Sequence, residues 1–195
     1  MALPGNVVSS PALQTVFLAP DSSDSARLES LEQGGIALND GSQGRQVQTW
    51  RAWVNLAGTE IRTSPLSGTP ETLLLTGTDI TAVSLAFDSN MQPTITYTEA
   101  GVVKLRWFDA VSGDFVITTL TGATMSKVAT DDKRESQEGA SDVIVAYIRA
   151  DVLYWRMQRD RYLVEYTAGA LPAGYRLVTI GMNAINRFQF KAVFP

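Results

Sequence analysis

Short runs of β-forming residues, some alternating apolar and polar with a period of two, recur between Gly, Pro, Asn, Asp and Ser clusters along this chain, and helical spacing is scarce. The clearest stretch runs from Ile80 to Gly122. Thr81–Phe87 reads as a strand ended by Asp88-Ser89-Asn90. Pro93 then opens Thr94–Thr98, where Ile95 and Tyr97 alternate with threonines. After the turn Glu99-Ala100-Gly101, Val103, Leu105 and Trp107 alternate with Lys104 and Arg106 over Val102–Phe108. Ser112-Gly113-Asp114 turns the chain again into Phe115–Leu120. Four β-forming runs joined by tight turns predict an antiparallel meander. The one helical candidate is Ser25–Gln33, which stops at Gly34-Gly35.

The meander recurs. Ser126–Asp131, Val143–Ile148, Val152–Met157 and Tyr162–Tyr166 form a second set of four, and Ile36–Asn39, Val47–Val54, Thr59–Thr63 and Thr72–Leu75 an earlier one. Tyr97 and Arg106 correspond to Tyr147 and Arg156, 50 residues on, and Phe115 to Tyr162, 47 on. Ser67-Gly68 followed by Leu75-Thr76-Gly77 matches Ser112-Gly113 followed by Leu120-Thr121-Gly122, 45 on. Four strands every ~45 residues is the period of a β-propeller blade. The expectation is therefore a single all-β domain over residues 1–195, with antiparallel four-stranded repeats at about 36–77, 80–122 and 126–167. Leu177–Asn183 and Arg187–Val193 supply two further strands. Asn6–Val8 and Leu13–Leu18 offer two more, so that residues 1–20 and 175–195 would pair and close a small four-bladed propeller-like ring. A β-sandwich of similar hairpins is the alternative.

Composition narrows the chemistry. The 195 residues include no His and no Cys. That excludes Ser–His–Asp and Cys–His triads, disulfides, and zinc or iron–sulfur sites built on Cys. Sixteen Lys+Arg against twenty Asp+Glu give a net charge of −4 and a pI of about 4.8, which argues against a nucleic-acid binder. No apolar run approaches the ~20 residues of a membrane helix, and the start Met-Ala-Leu-Pro-Gly-Asn lacks the regions of a secretory signal. No cofactor or metal site is expected. The acidic run from Asp131 to Glu138 lacks the ligand alternation of a calcium loop and reads as a solvated loop.

Two polar stretches are candidate protein contacts: Asp131, Asp132 and Arg134 in the acidic run, and Arg159, Asp160 and Arg161 at a hairpin tip. The second follows Tyr154 and Trp155, but these fall on opposite strand faces and form no stacking platform for bases. Trp50, Trp53, Trp107 and Trp155 read as half-buried sheet residues. A sugar-binding shelf is their alternative, and a glycoside hydrolase built on Asp131 or Asp132 a third, weaker option.

Several strings carry a resemblance. They are Ile36-Ala37-Leu38-Asn39-Asp40, Gln48-Thr49-Trp50, Val83-Ser84-Leu85-Ala86-Phe87-Asp88, Leu105-Arg106-Trp107-Phe108-Asp109, Asp131-Asp132-Lys133-Arg134, Leu153-Tyr154-Trp155-Arg156 and Gln158-Arg159-Asp160-Arg161-Tyr162. Together they resemble uncharacterised virion proteins of tailed bacteriophages, encoded among tail and neck genes. The resemblance spans Ile36 to Tyr166. It implies a virion setting, with assembly in the host cytoplasm, and carries over no catalytic residue. The expectation is a non-enzymatic, homo-oligomeric adaptor or fibre-attachment protein of the tail or head–tail neck, binding other virion proteins. The alternative is a module that recognises host glycan.

Overall fold

Among the described residues, runs of Val, Ile, Thr and aromatic residues, punctuated by Gly, Asn and Asp, fold as antiparallel strands. The computed structural model describes residues 32–38, 47–65, 71–88, 92–131, 142–182 and 188–194. The first sheet holds β1 (Glu32–Leu38), β2 (Val47–Val54), β3 (Glu60–Pro65) and β4 (Thr72–Thr76). The second holds β5 (Ile80–Phe87), β6 (Pro93–Glu99), β7 (Val102–Asp109) and β8 (Asp114–Thr119). The third holds β9 (Met125–Asp131), β10 (Asp142–Arg149), β11 (Val152–Met157) and β12 (Tyr166–Ala170). Each pairs its strands in sequence order, as a meander does. A last hairpin joins β13 (Arg176–Met182) to β14 (Phe188–Val193).

Two hairpin turns repeat the same chemistry. Ala100-Gly101 connects β6 to β7, and Ala150-Asp151 connects β10 to β11. All four residues have positive φ, between 47° and 77°. Two-residue loops with both residues left-handed match the twist of the flanking strands. The register that follows is equivalent in the two sheets: Ile95↔Arg106 and Tyr97↔Lys104 in one, Val145↔Arg156 and Tyr147↔Tyr154 in the other.

The sheets pack face to face, with their first strands neighbouring one another: β5 lies beside both β1 and β9, and β13 beside β9. The first interface sets Ala52, Val54 and Ile61 against Val83, Leu85, Phe87, Ile95 and Tyr97. The second sets Val103, Leu105 and Trp107 against Val128, Val143, Val145 and Tyr147. The third sets Ala129, Ala146, Ile148 and Leu153 against Leu177 and Ile180. The middle sheets are thus buried on both faces, so β10 reads as an unbroken apolar run where β7, covered less on one side, alternates. Two hydrogen bonds stitch β9 to β5: Val128 N–H donates to Ser84 Oγ (3.1 Å), and Thr130 Oγ1 donates to the Phe87 carbonyl (2.8 Å). Ser84 is therefore a buried polar residue with a partner on the facing sheet.

The all-β, antiparallel architecture holds, with local corrections. Glu32 and Gln33, the end of the expected helix, lie in β1, and the rest of that helix lies outside the described residues. Tyr162–Tyr166 is not a strand. A 3-10 turn at Gln158–Asp160 is followed by Arg161 and Tyr162, both at positive φ, which postpones β12 to Tyr166–Ala170. Tyr162 consequently does not correspond to Phe115 of β8; it is buried edge-on against Trp107, 5.1 Å between ring centroids. β13 and β14 pair with each other, and the expected pairing with residues 1–20 falls outside the described residues.

Ala100 carries a left-handed backbone that costs an L-residue roughly 1 kcal/mol. Ala100→Asn creates the preferred Asn-Gly pair and is expected to raise stability by about 0.5 kcal/mol, read from the urea midpoint. A lower midpoint would contradict the turn assignment.

Candidate functional site

The turn after β11 gathers charge at one end of the interface between the second and third sheets. Asp109 closes β7 and Asp142 opens β10; both side chains are nearly inaccessible, 3% and 4% exposed. Buried carboxylates need partners, and the turn supplies them. The Arg161 guanidinium pairs with Asp109, 52 residues away and on the other sheet. Arg159 pairs with Asp142 through both its side chain and its backbone N–H, the latter at 2.9 Å. Gln158 donates across the same interface to Asp88 Oδ2 (3.1 Å). Burial alone would raise the Asp109 carboxyl, but hydrogen bonds from Arg161 and the Val111 N–H outweigh it and hold it below the ordinary carboxylate value. Asp160 accepts from the Tyr166 hydroxyl (3.1 Å).

A second network sits farther along the same interface. Tyr147 and Tyr154 stack, 5.9 Å apart, directly across the β10–β11 pair. Arg156 lies beside Tyr147 and Arg149 over Tyr154, at 5.6 and 4.2 Å from the ring centroids. Glu165 joins them: it accepts from Arg149 (2.7 Å), from Arg156 (2.9 Å) and from the Tyr147 hydroxyl. Burial would raise the Glu165 carboxyl; the hydrogen bonds from Arg149, Tyr147 and Arg156 outweigh that and bring it down to about 2. Burial, reinforced by the Glu165 hydrogen bond, pushes the Tyr147 phenol up to about 12.

The second sheet carries the sister arrangement with different occupants. Tyr97 and Arg106 take the places of Tyr147 and Arg156, and Glu99 and Lys104 those of Arg149 and Tyr154. Glu99 pairs with Lys104 and accepts the Thr78 N–H (2.9 Å). That carboxylate occupies the space a side chain on Gly77 would need, while at the matching Gly122 the neighbour is the Arg149 stem. The Leu-Thr-Gly signature of the repeat thus marks where each sheet receives a long polar side chain from the next.

Of the expected contact residues, Arg159, Asp160 and Arg161 come together, but the arginines reach inward to Asp142 and Asp109 while remaining about half exposed, 48% and 49%. Asp131 ends β9 and pairs in register with Asp142; Asp132 and Arg134 lie outside the described residues. Trp155 stacks on Tyr166, 4.5 Å apart, and Tyr154 and Trp155 face opposite interfaces as their alternation requires. Sequence reasoning missed Glu165, which lay inside the expected strand Tyr162–Tyr166, and it assigned no pairing role to Asp109 or Asp142. Among the described residues no group of three or more acids stands together to hold a metal ion, and no helix is long and apolar enough to cross a membrane. No family model, curated protein or solved structure matches the chain.

Arg161→Ala leaves Asp109 buried without its cation. It is expected to destabilise by about 2 kcal/mol or more, with Asp109→Asn and Arg161→Ala showing a coupling of at least ~1 kcal/mol in a double-mutant cycle. Additive effects would contradict a clamp. Because the folded Glu165 carboxyl lies below its unfolded value, its contribution is present above pH ~4.5 and is lost as pH falls towards 2. The urea midpoint of wild type should drop over that window, and Glu165→Gln should flatten the drop while lowering stability at pH 7.

Proposed function

We propose that this protein is a non-enzymatic structural component of a tailed-phage virion, an adaptor or fibre-attachment protein of the tail or head–tail neck. The observation that carries the structural role is where the charged side chains go. Arg149 and Arg156 both bind Glu165, Arg159 binds Asp142, and Arg161 binds Asp109. These groups tie sheet to sheet and strand to strand, which suits a rigid part. The virion setting is supported by the resemblance of the stretch from Ile36 to Tyr166, and by a composition without His or Cys, which removes thiol redox chemistry and imidazole titration.

In this reading the stacked meanders form a small propeller-like body, supported by first strands that lie side by side and by four strands in each of three successive sheets. Copies of the chain assemble with other virion proteins in the host cytoplasm, since virion parts repeat about symmetry axes. A second reading, recognition of host glycan, is favoured by one feature: the stacked, half-buried pair Trp155 and Tyr166.

Mass spectrometry of purified particles, with light scattering of the isolated protein, tests the first reading. Presence in particles and an oligomeric mass are expected. A strict monomer absent from particles would overturn it, and sugar-dependent quenching of Trp fluorescence would promote the second.

A further inference from the structure

The repeat exposes a mismatch. In the third sheet, one step beyond the Trp155↔Tyr166 pair, Arg156 stands across from Glu165 and binds it at 2.9 Å. In the second sheet the equivalent Arg106 stands across from Ile117. Among the described residues no acid replaces the missing one. Arg106 Nη1 is buried with no hydrogen-bond partner, and the guanidinium lies over the Phe115 ring, 3.6 Å from its centroid. Desolvation lowers its pKa, against opposing influences from Tyr97 and Asp114. Asp114 uses its carboxylate to cap the Phe115 N–H at 2.7 Å, and Glu99 is matched by Lys104. A half-buried guanidinium lacking an acceptor costs free energy that a carboxylate would return.

The surroundings say what kind of molecule brings that carboxylate. Ile117 is 55% exposed, and Phe108 and Phe115 pack edge-on beside it, both half-buried. A small free acid would leave this apolar collar in water. A protein side chain set next to an apolar residue would cover it. Arginine beside aromatic rings is also the composition of an interface hot spot.

We propose that Arg106 forms a docking point for an Asp or Glu side chain of a partner protein, with an apolar neighbour of that acid covering Ile117 and Phe115. The docked carboxylate would play towards Arg106 the part Glu165 plays towards Arg156 in the third sheet, accepting from the guanidinium. Arg106 has this role whether or not the protein belongs to a virion, so the present test and that of the previous section fail separately.

Two measurements decide it. Ile117→Glu installs the missing acid; its thermal midpoint is expected at or above that of wild type, and a clearly lower midpoint would overturn the equivalence with Arg156 and Glu165. The second measurement probes an array of immobilised random heptapeptides with labelled full-length protein. Bound peptides should be enriched in Asp or Glu adjacent to Leu, Ile, Val or Phe. Binding should fall at least tenfold for Ile117→Glu, which fills the site from within, and for Arg106→Gln, which removes the cation. Absence of binding, binding without acid enrichment, or binding by either variant equal to that of wild type would overturn the proposal.

Discussion

A sheet that is covered on both faces has nowhere to put a polar side chain except against a specific partner, and the second and third sheets are both in that position. Their cores therefore set the terms for everything else. Val103, Leu105 and Trp107 fill one side of an interface whose other side is Val143, Val145 and Tyr147. Burial of this kind contributes on the order of 1.5–3 kcal/mol per large apolar side chain and fixes the facing registers, because a one-residue slip would turn each strand inside out. Several of the polar groups that remain between the sheets are held in pairs, while Arg106 Nη1, Thr94 Oγ1 and Thr96 Oγ1 are buried without a hydrogen-bond partner. Ser84 meets a backbone N–H of β9, Asp109 meets Arg161, and Glu165 meets two arginines and a tyrosine.

Repetition makes the departures informative. The turns at Ala100-Gly101 and Ala150-Asp151 keep the second and third sheets in the same register, so each position of β6 and β7 has a counterpart 50 residues on, in β10 and β11. Where counterparts agree, as with Tyr97 and Tyr147, the residue serves the packing shared by the sheets. Where they differ, as with Ile117 and Glu165, the two interfaces have been assigned different work. One is closed by its own acid, and the other leaves a guanidinium over a phenyl ring without an acceptor.

Much of the fold was legible because period-two alternation and turn chemistry are local signals. Val102–Phe108 and Val152–Met157 could be placed from their own residues, and the pairing followed from short turns. The stretch from Tyr162 to Tyr166 misled for an equally local reason: it has the composition of a strand, but Arg161 and Tyr162 take left-handed conformations that move the strand four residues on. The charged clamp was not legible, since Arg161 and Asp109 are 52 residues apart and meet only through the stacking of sheets. Glu165 was hidden likewise: its partners lie on β10 and β11, and only the register across that hairpin brings Tyr147, Arg149 and Arg156 to one carboxylate.

The central claim is that the sheets are one cooperative body because each middle sheet is buried from both sides. Native-state hydrogen exchange tests it most directly. Amides of β6 and β10, in different sheets, should exchange only through a shared global opening, with one free energy and one denaturant dependence, while the outer strands β8 and β12 exchange faster. Separate opening free energies for β6 and β10, each with its own smaller denaturant dependence, would show independent sheets and contradict the account.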